Sequence, residues 1–378
     1  MADPTQNNKV LHIPTDLYNA LKAQCGNPGT MDLSSKASQD WKKLFSTAKF
    51  DEIRLRDTQK NIVVPIQALG AFKFNDEVVA AREAIKWVTV IVQAPVQQDG
   101  SQTIGFDPPS LRDSICPTLT EHLATALRQL TGIRELCITL KHFTNEQICN
   151  FMDELADQQP LWPQLHSLRI EAPSHAAIEL MRHANPLNIK AFHLCGDAES
   201  TPFQKALGIQ VLKSLHLNCD MSQLGEEDFW RRIRRFHVGN GRTMSCLVLR
   251  EKCFDANMKV PLLLGVAMER TRDVILELRL KRFAFSLEYQ RLHRQAVRQH
   301  LNSLNHQSTP LQDHEVAAFY IKTIQFVMEA PTLEEVWVFA DESLAFKGSV
   351  NDDGSVVVER RLLEVGMCQK SFPLGSFN

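Results

Sequence analysis

The sequence predicts an α/β fold in which short parallel strands alternate with helices packed behind them. Two observations carry that prediction: a hexad of the form apolar-x-x-apolar-x-apolar recurs along the chain, and the segments between hexads hold apolar stripes at helical spacing. A third supplies the material for a core. The chain has 378 residues, 44% hydrophobic and 23% charged, which is ordinary globular chemistry and excludes a wholly disordered polymer.

The hexads read Ile133, Leu136, Ile138; Leu165, Leu168, Ile170; Ile189, Phe192, Leu194; Leu212, Leu215, Leu217; Met244, Leu247, Leu249; Ile275, Leu278, Leu280; and Leu333, Val336, Val338. Looser copies lie upstream at Phe50, Ile53, Leu55, at Leu69, Phe72, Phe74 and at Ile85, Val88, Val90. The last two apolar positions of a hexad are two apart, so in a strand they face the same way, and the first fills the same interior from the preceding turn. Between hexads, Ile148, Phe151, Met152 and Leu155 recur at three and four, as do Phe229, Ile233 and Phe236, and Val316, Phe319, Tyr320, Ile324 and Val327. Each of these makes one helical stripe, so the unit is strand, turn, helix, turn.

From Ile133 onward the hexads are spaced by 32, 24, 23, 32, 31 and 58 residues. The first five intervals approach the ~20–29 residues of leucine-rich repeats. The chain from residue 50 to 341 therefore resembles an irregular leucine-rich-repeat solenoid, in which parallel strands are backed by helices. The last interval reads as an insertion at about 283–330, with helices at about 286–305 and 312–329. The buried Asn of such repeats is replaced here by Lys141, Pro173, Asp197, Asp220, Lys252, Phe283 and Asp341. An ordinary α/β domain with Leu-rich parallel strands is the other fold these residues allow. After the last hexad, Asp353-Gly354 between two apolar runs signals a hairpin, and 342–378 reads as a C-terminal hairpin cap and tail.

Residues 1–49 look different. Ile13-Pro14-Thr15-Asp16-Leu17 opens a helical segment, Asp32-Leu33 and Trp41 follow, and Ile53-Arg54-Leu55-Arg56 leads into the repeats. This order resembles a degenerate F-box, with Ile13 in place of the usual Leu. The resemblance implies a small helical cap whose Ile13, Pro14, Leu17 and Leu21 dock a Skp-type adaptor. The same residues also fit a plain two-helix cap over the open end of a repeat stack.

Other chemistry is disfavoured by specific features. The 42 basic and 44 acidic side chains nearly cancel, so no general attraction to nucleic acid or anionic membrane is built in. The longest apolar run, Val260–Met268, is about half a membrane span, and Met1–Val10 lacks the apolar core of a signal peptide. Nine cysteines without a C-x-x-C pair fit reduced thiols in a cytoplasmic or nuclear protein rather than a disulfide framework or a clustered zinc site. Gly239–Thr243 lacks the spacing and Lys of a phosphate loop, His314-Glu315 is followed by Ala318 where a zinc helix needs His, and there is no G-x-S-x-G. No catalytic residue, metal or cofactor is expected. Arg231–Arg235 reads as a solvated helix face.

In such a repeat, residues alternating with the buried pair line the opposite sheet face. These include Arg169, His193, His216, Arg250, Arg279, Lys281, Trp337 and Phe339. Arg forks suit carboxylate or phosphate and exposed aromatics supply anchors, so the expected partner is a protein or peptide, acidic or phosphorylated. With the F-box resemblance, the chain reads as the non-catalytic substrate receptor of an SCF-type ubiquitin ligase. Without it, the chain is a leucine-rich-repeat scaffold or recognition module unrelated to ubiquitin.

Overall fold

The computed structural model describes residues 10–11, 52–71, 85–93, 115–156, 160–194, 202, 209, 211–251, 264–287, 313–341, 344–363 and 372–373. They fall into two compact units, Met1–Asn188 and Ile189–Asn378, a division that lies inside the stretch spanned by the hexads.

The first unit runs β1 (Val10–Leu11), β2 (Glu52–Asp57), α1 (Gln59–Ala71), β3 (Trp87–Val92), α2 (Leu119–Gln129), β4 (Glu135–Thr139), α3 (Asn145–Leu155), β5 (Ser167–Glu171) and α4 (Ser174–Arg182). Its strands pair in parallel and in chain order, and its helices pack on one another in the same order. Ile53, Leu55, Val88, Val90, Leu136, Ile138, Leu168 and Ile170 are all buried on the helix side, each worth about 1.5–3 kcal/mol of transfer free energy. Leu69, expected to open a hexad, instead lies in α1. There it joins Ile62 and Ile66 in a buried stripe at spacings of four and three, and the helical period overrides the single strand-like match.

The second unit runs β6 (Ala191–Leu194), β7 (Ser214–Cys219), a 3-10 turn (Met221–Gly225), α5 (Glu227–Gly239), β8 (Cys246–Glu251), α6 (Leu264–Leu278), β9 (Arg282–Ser286), α7 (Asp313–Val327), β10 (Glu335–Phe339), β11 (Leu344–Val350) and β12 (Val356–Leu362). Strands β6 to β10 pair in parallel, and β11 and β12 close the sheet as an antiparallel hairpin, as the Asp-Gly signal predicts. Its turn is held by Asp353, whose Oδ1 accepts from Ser355 N and Oγ at 2.9 and 2.6 Å. Gly348 lets β11 pass α7 closely: a Cβ there would meet Ile324 Cγ2 at 2.2 Å.

One backbone device recurs in both units. At the head of six strands, β4, β5 and β7 to β10, two successive N–H groups donate to one carbonyl of the previous repeat. Arg134 and Glu135 donate to Lys86 O, His166 and Ser167 to Arg134 O, Lys213 and Ser214 to Lys190 O, and Ser245 and Cys246 to Lys213 O. Lys281 and Arg282 continue the series on Ser245 O, and Glu334 and Glu335 on Lys281 O. The acceptor is always the second residue of a hexad. This register identifies the sixth hexad as Leu280, Phe283, Phe285, five residues beyond the Ile275 start expected from sequence. Ile275 and Leu278 belong instead to the buried stripe of α6 with Ala267, Met268, Thr271 and Val274. Strand β9 thus occupies the start of the expected insertion, and α7 matches its second helix; the first lies outside the described residues.

Polar side chains tie successive elements together in both units. Gln59 and Gln147, both buried, form a reciprocal amide pair (3.2 and 2.9 Å) that also bonds His142 O, Cys116 N, Cys116 O and Thr144 N at 2.7–3.0 Å. Gln147 N donates to Thr144 Oγ1, completing the capping box of α3. In the second unit Glu251 accepts from Met221 N and Ser286 Oγ accepts from Glu251 N, both at 3.0 Å, tying consecutive repeats. Asp220 and Asp341, at expected Asn positions, accept from the N–H of Ser222 and Leu344 in their own turns. Among the described residues no helix is long and apolar enough to cross a membrane.

Candidate functional site

With the helices on one side of each sheet, the opposite face holds the alternating positions. In the first unit that face is polar. Register sets Glu52, Trp87, Glu135 and Ser167 in one row, Arg54, Thr89, Cys137 and Arg169 in the next, and Arg56, Ile91, Thr139 and Glu171 in a third. Arg54 Nε donates to Glu52 Oε1 at 2.5 Å and Trp87 Nε1 to Glu135 Oε1 at 2.8 Å. Arg169 is half-buried in the central row next to Cys137. Burial pushes the Cys137 thiol up and Glu171 adds to this, while Arg169 pulls it down, so the thiol stays protonated and unreactive.

In the second unit the same face is apolar and closed. Cys246, Val248, Ala284, Trp337, Phe339 and Ala345 form one buried cluster with Leu363 and Phe372 of the C-terminal segment. Cations cap the rings: Arg282 lies 5.2 Å from the Phe372 centroid, Arg250 lies 5.2 Å from Phe339, and Lys347 Nζ lies 5.8 Å from Trp337. Trp337 Nε1 donates to Glu335 Oε1 at 2.8 Å. Trp337 and Phe339, expected as exposed anchors, are therefore sealed beneath the chain's own C-terminal residues. His193 and His216 pair in register on β6 and β7 with ring centroids 5.1 Å apart, and both are buried.

Exposed cations recur in the turns that lead into the strands of this unit. Arg279 is not on a strand. It ends α6, with φ 53°, and its N–H bonds Leu276 O while Leu280 N bonds Ile275 O. Helix α5 ends with the same two bonds, Gly241 N to Val238 O and Arg242 N to His237 O, and there the equivalent of Arg279 is Gly241. A side chain in this left-handed conformation costs about 1–2 kcal/mol, more than the 0.3–1 kcal/mol, roughly, that a cation gains at a helix C-terminus. Arg242 has φ 60° as well. Lys281 is exposed on the next turn and pairs with Glu334 at 2.8 Å.

His237, buried in the last turn of α5, is held below its ordinary pKa by burial and then by Arg242, against the pull of Glu277. A histidine depressed in the folded state destabilises the fold when protonated. Its contribution is complete above the unfolded pKa of about 6.5 and is lost as pH falls below it. The melting temperature is expected to fall between pH 7.5 and 5.5, and less so in His237→Gln. Half-buried His122, also depressed by desolvation, supplies a slope of the same sign. Equal slopes for wild type and variant in a thermal scan would refute the assignment.

Of the residues singled out from sequence, Ile13, Pro14, Leu17 and Leu21 lie outside the described residues. Arg169, His193, His216, Arg250, Trp337 and Phe339 stand on strand faces as expected, whereas Arg279 and Lys281 stand in a turn. Arg231 and Arg234 sit in the middle of α5 and pair with Asp228, Glu227 and Glu277 at 2.6–2.8 Å. Phe372 and Arg282 were missed. The signal available was an isolated Phe-Pro-Leu after a polar strand, and Arg282 followed once the sixth hexad was misaligned. Among the described residues, no group of three or more His, Cys, Asp or Glu is placed to share a metal ion. Compared with known proteins, the chain matches no protein-family model and no curated relative.

Proposed function

We propose that the chain is a non-catalytic protein-recognition subunit: an irregular leucine-rich-repeat solenoid that holds a partner protein, with an N-terminal F-box-like segment that joins it to an SCF-type ubiquitin ligase. The observation that carries the recognition reading is the recurring register. Every described parallel junction with bonds at the strand head uses the same two N–H groups on the second hexad residue, and every such strand turns its apolar pair toward the helices. That one-sided construction leaves the other sheet face of the first unit, and the turns of both, for contacts with a macromolecule. The receptor would raise the local concentration of its substrate near the transfer module without doing chemistry itself.

The ubiquitin link rests on the Ile13-Pro14-x-Asp16-Leu17 resemblance. The test is capture of a purified Skp-type adaptor by the full chain. Wild type should retain the adaptor, and Leu17→Asp should lose it, because a charge in an apolar docking patch is costly. Circular dichroism of the variant should be unchanged. If wild type captures nothing, the ubiquitin role fails and the chain is a recognition module of another assembly.

A further inference from the structure

We infer that the strand-leading turns of the second unit form a binding edge for an acidic peptide that carries apolar anchors. This deepens the recognition reading by naming its surface and partner chemistry, and it rests on that reading. The edge is a column. Lys190, Lys213, Ser245 and Lys281 occupy the second hexad position of consecutive repeats and are joined directly by the bonds from each strand head to the carbonyl before it. Neighbouring rungs are therefore about one strand spacing apart, ~4.8 Å. Arg242 and Arg279 join the column from the turns after α5 and α6.

Lys190, Lys213, Arg242, Arg279 and Lys281 are all exposed. Two carboxylates beside this edge are already engaged: Glu277, in the last turn of α6, with Arg234 at 2.7 Å and Glu334 with Lys281 at 2.8 Å. Lys190, Lys213, Arg242 and Arg279 have no ion-pair partner among the described residues, which leaves a net positive edge on a chain whose charge is −2 overall. Two exposed large apolar side chains flank it, Val238 (57%) in the last turn of α5 and Leu276 (38%) in that of α6. Cations alternating with apolar side chains match Asp or Glu interleaved with Leu or Phe, whereas a nucleic-acid backbone offers nothing for Val238 and Leu276. The strained backbone at Arg279 points the same way. Glycine would relieve it, as Gly241 does one repeat earlier, so the arginine is retained at the expense of stability.

The test uses the full chain and a fluorescein-labelled peptide of alternating Asp/Glu and Leu/Phe, with a Ser-substituted acidic peptide and a mixed-sequence single-stranded DNA as comparison probes. Wild type should bind the first peptide, and at least about tenfold more tightly than the other two. Arg279→Gly should weaken that binding about tenfold while raising the melting temperature by about 2 °C. Lys213→Glu, a change at an exposed turn, should also weaken it. Absence of binding by wild type overturns the edge, while adaptor capture tests the ubiquitin link separately. Binding unchanged in both variants but lost in Arg250→Glu overturns the edge and keeps recognition on the sheet face. Tighter binding of DNA overturns the partner class, and a lowered melting temperature for Arg279→Gly overturns the argument from strain.

Discussion

Replacing Phe372 with alanine is expected to destabilise the second unit by about 3 kcal/mol, the low end of the range for truncating a buried Phe. Phe372 is 8% exposed and lies against the cluster of Val248, Ala284, Trp337 and Phe339, beneath the Arg282 guanidinium. Two losses add. The transfer free energy of burying the ring is lost, and the sheet face below it becomes an exposed apolar patch. The cation–π contact contributes the smaller part, about 0.5–1 kcal/mol for a partly exposed pair. Urea denaturation should show a lower midpoint, and the emission difference between Phe372→Ala made with and without Trp337→Phe should be red-shifted. A cost below about 0.5 kcal/mol would mean that the C-terminal segment does not seal this face, and that Trp337 and Phe339 are available to a partner after all.

The second large effect is expected at Gln147. Gln147→Leu strands Cys116 O and Thr144 N, both half-buried, and one donor and one acceptor of buried Gln59. An unpaired buried polar group costs about 1–3 kcal/mol. Repacking and water entry reduce the sum, so about 3 kcal/mol is expected for the variant by urea denaturation. The asymmetry of buried networks supplies the sharper check. Gln59→Leu combined with Gln147→Leu should cost clearly less than the two single changes added, because neither amide is then left to be satisfied. Strict additivity in that cycle would show that the two glutamines do not act as one unit.

Much of the fold was legible because its signal is local. Leu136 and Ile138, or Leu215 and Leu217, are two apart and one turn from their partner, and a strand needs nothing more to bury them. The stripe of Phe229, Ile233 and Phe236 required only the helical period. Errors came where both periods fit the same residues. Ile275, Leu278 and Leu280 satisfy the hexad, but Ala267, Met268, Thr271 and Val274 upstream extend a helix through Leu278, and cooperative helix propagation favours the longer run. That slip moved Arg279 and Lys281 from a turn onto a strand face and hid Arg282. The glutamine hub was illegible for another reason: Gln59 and Gln147 are 88 residues apart, and nothing in the spacing of either announces the other.

By itself, then, the sequence determined the alternation of strand and helix, the buried pair of most hexads and the closing hairpin, since these depend on periodicities of two and about 3.6 residues within a single element. The tertiary structure alone decided which positions on the other sheet face are open. Phe372 covers Trp337 and Phe339 across more than thirty residues of chain, and the backbone of Arg279 takes a left-handed turn that its side chain does not favour. Both are outcomes of packing between distant segments, where the free energy gained elsewhere outweighs a local preference.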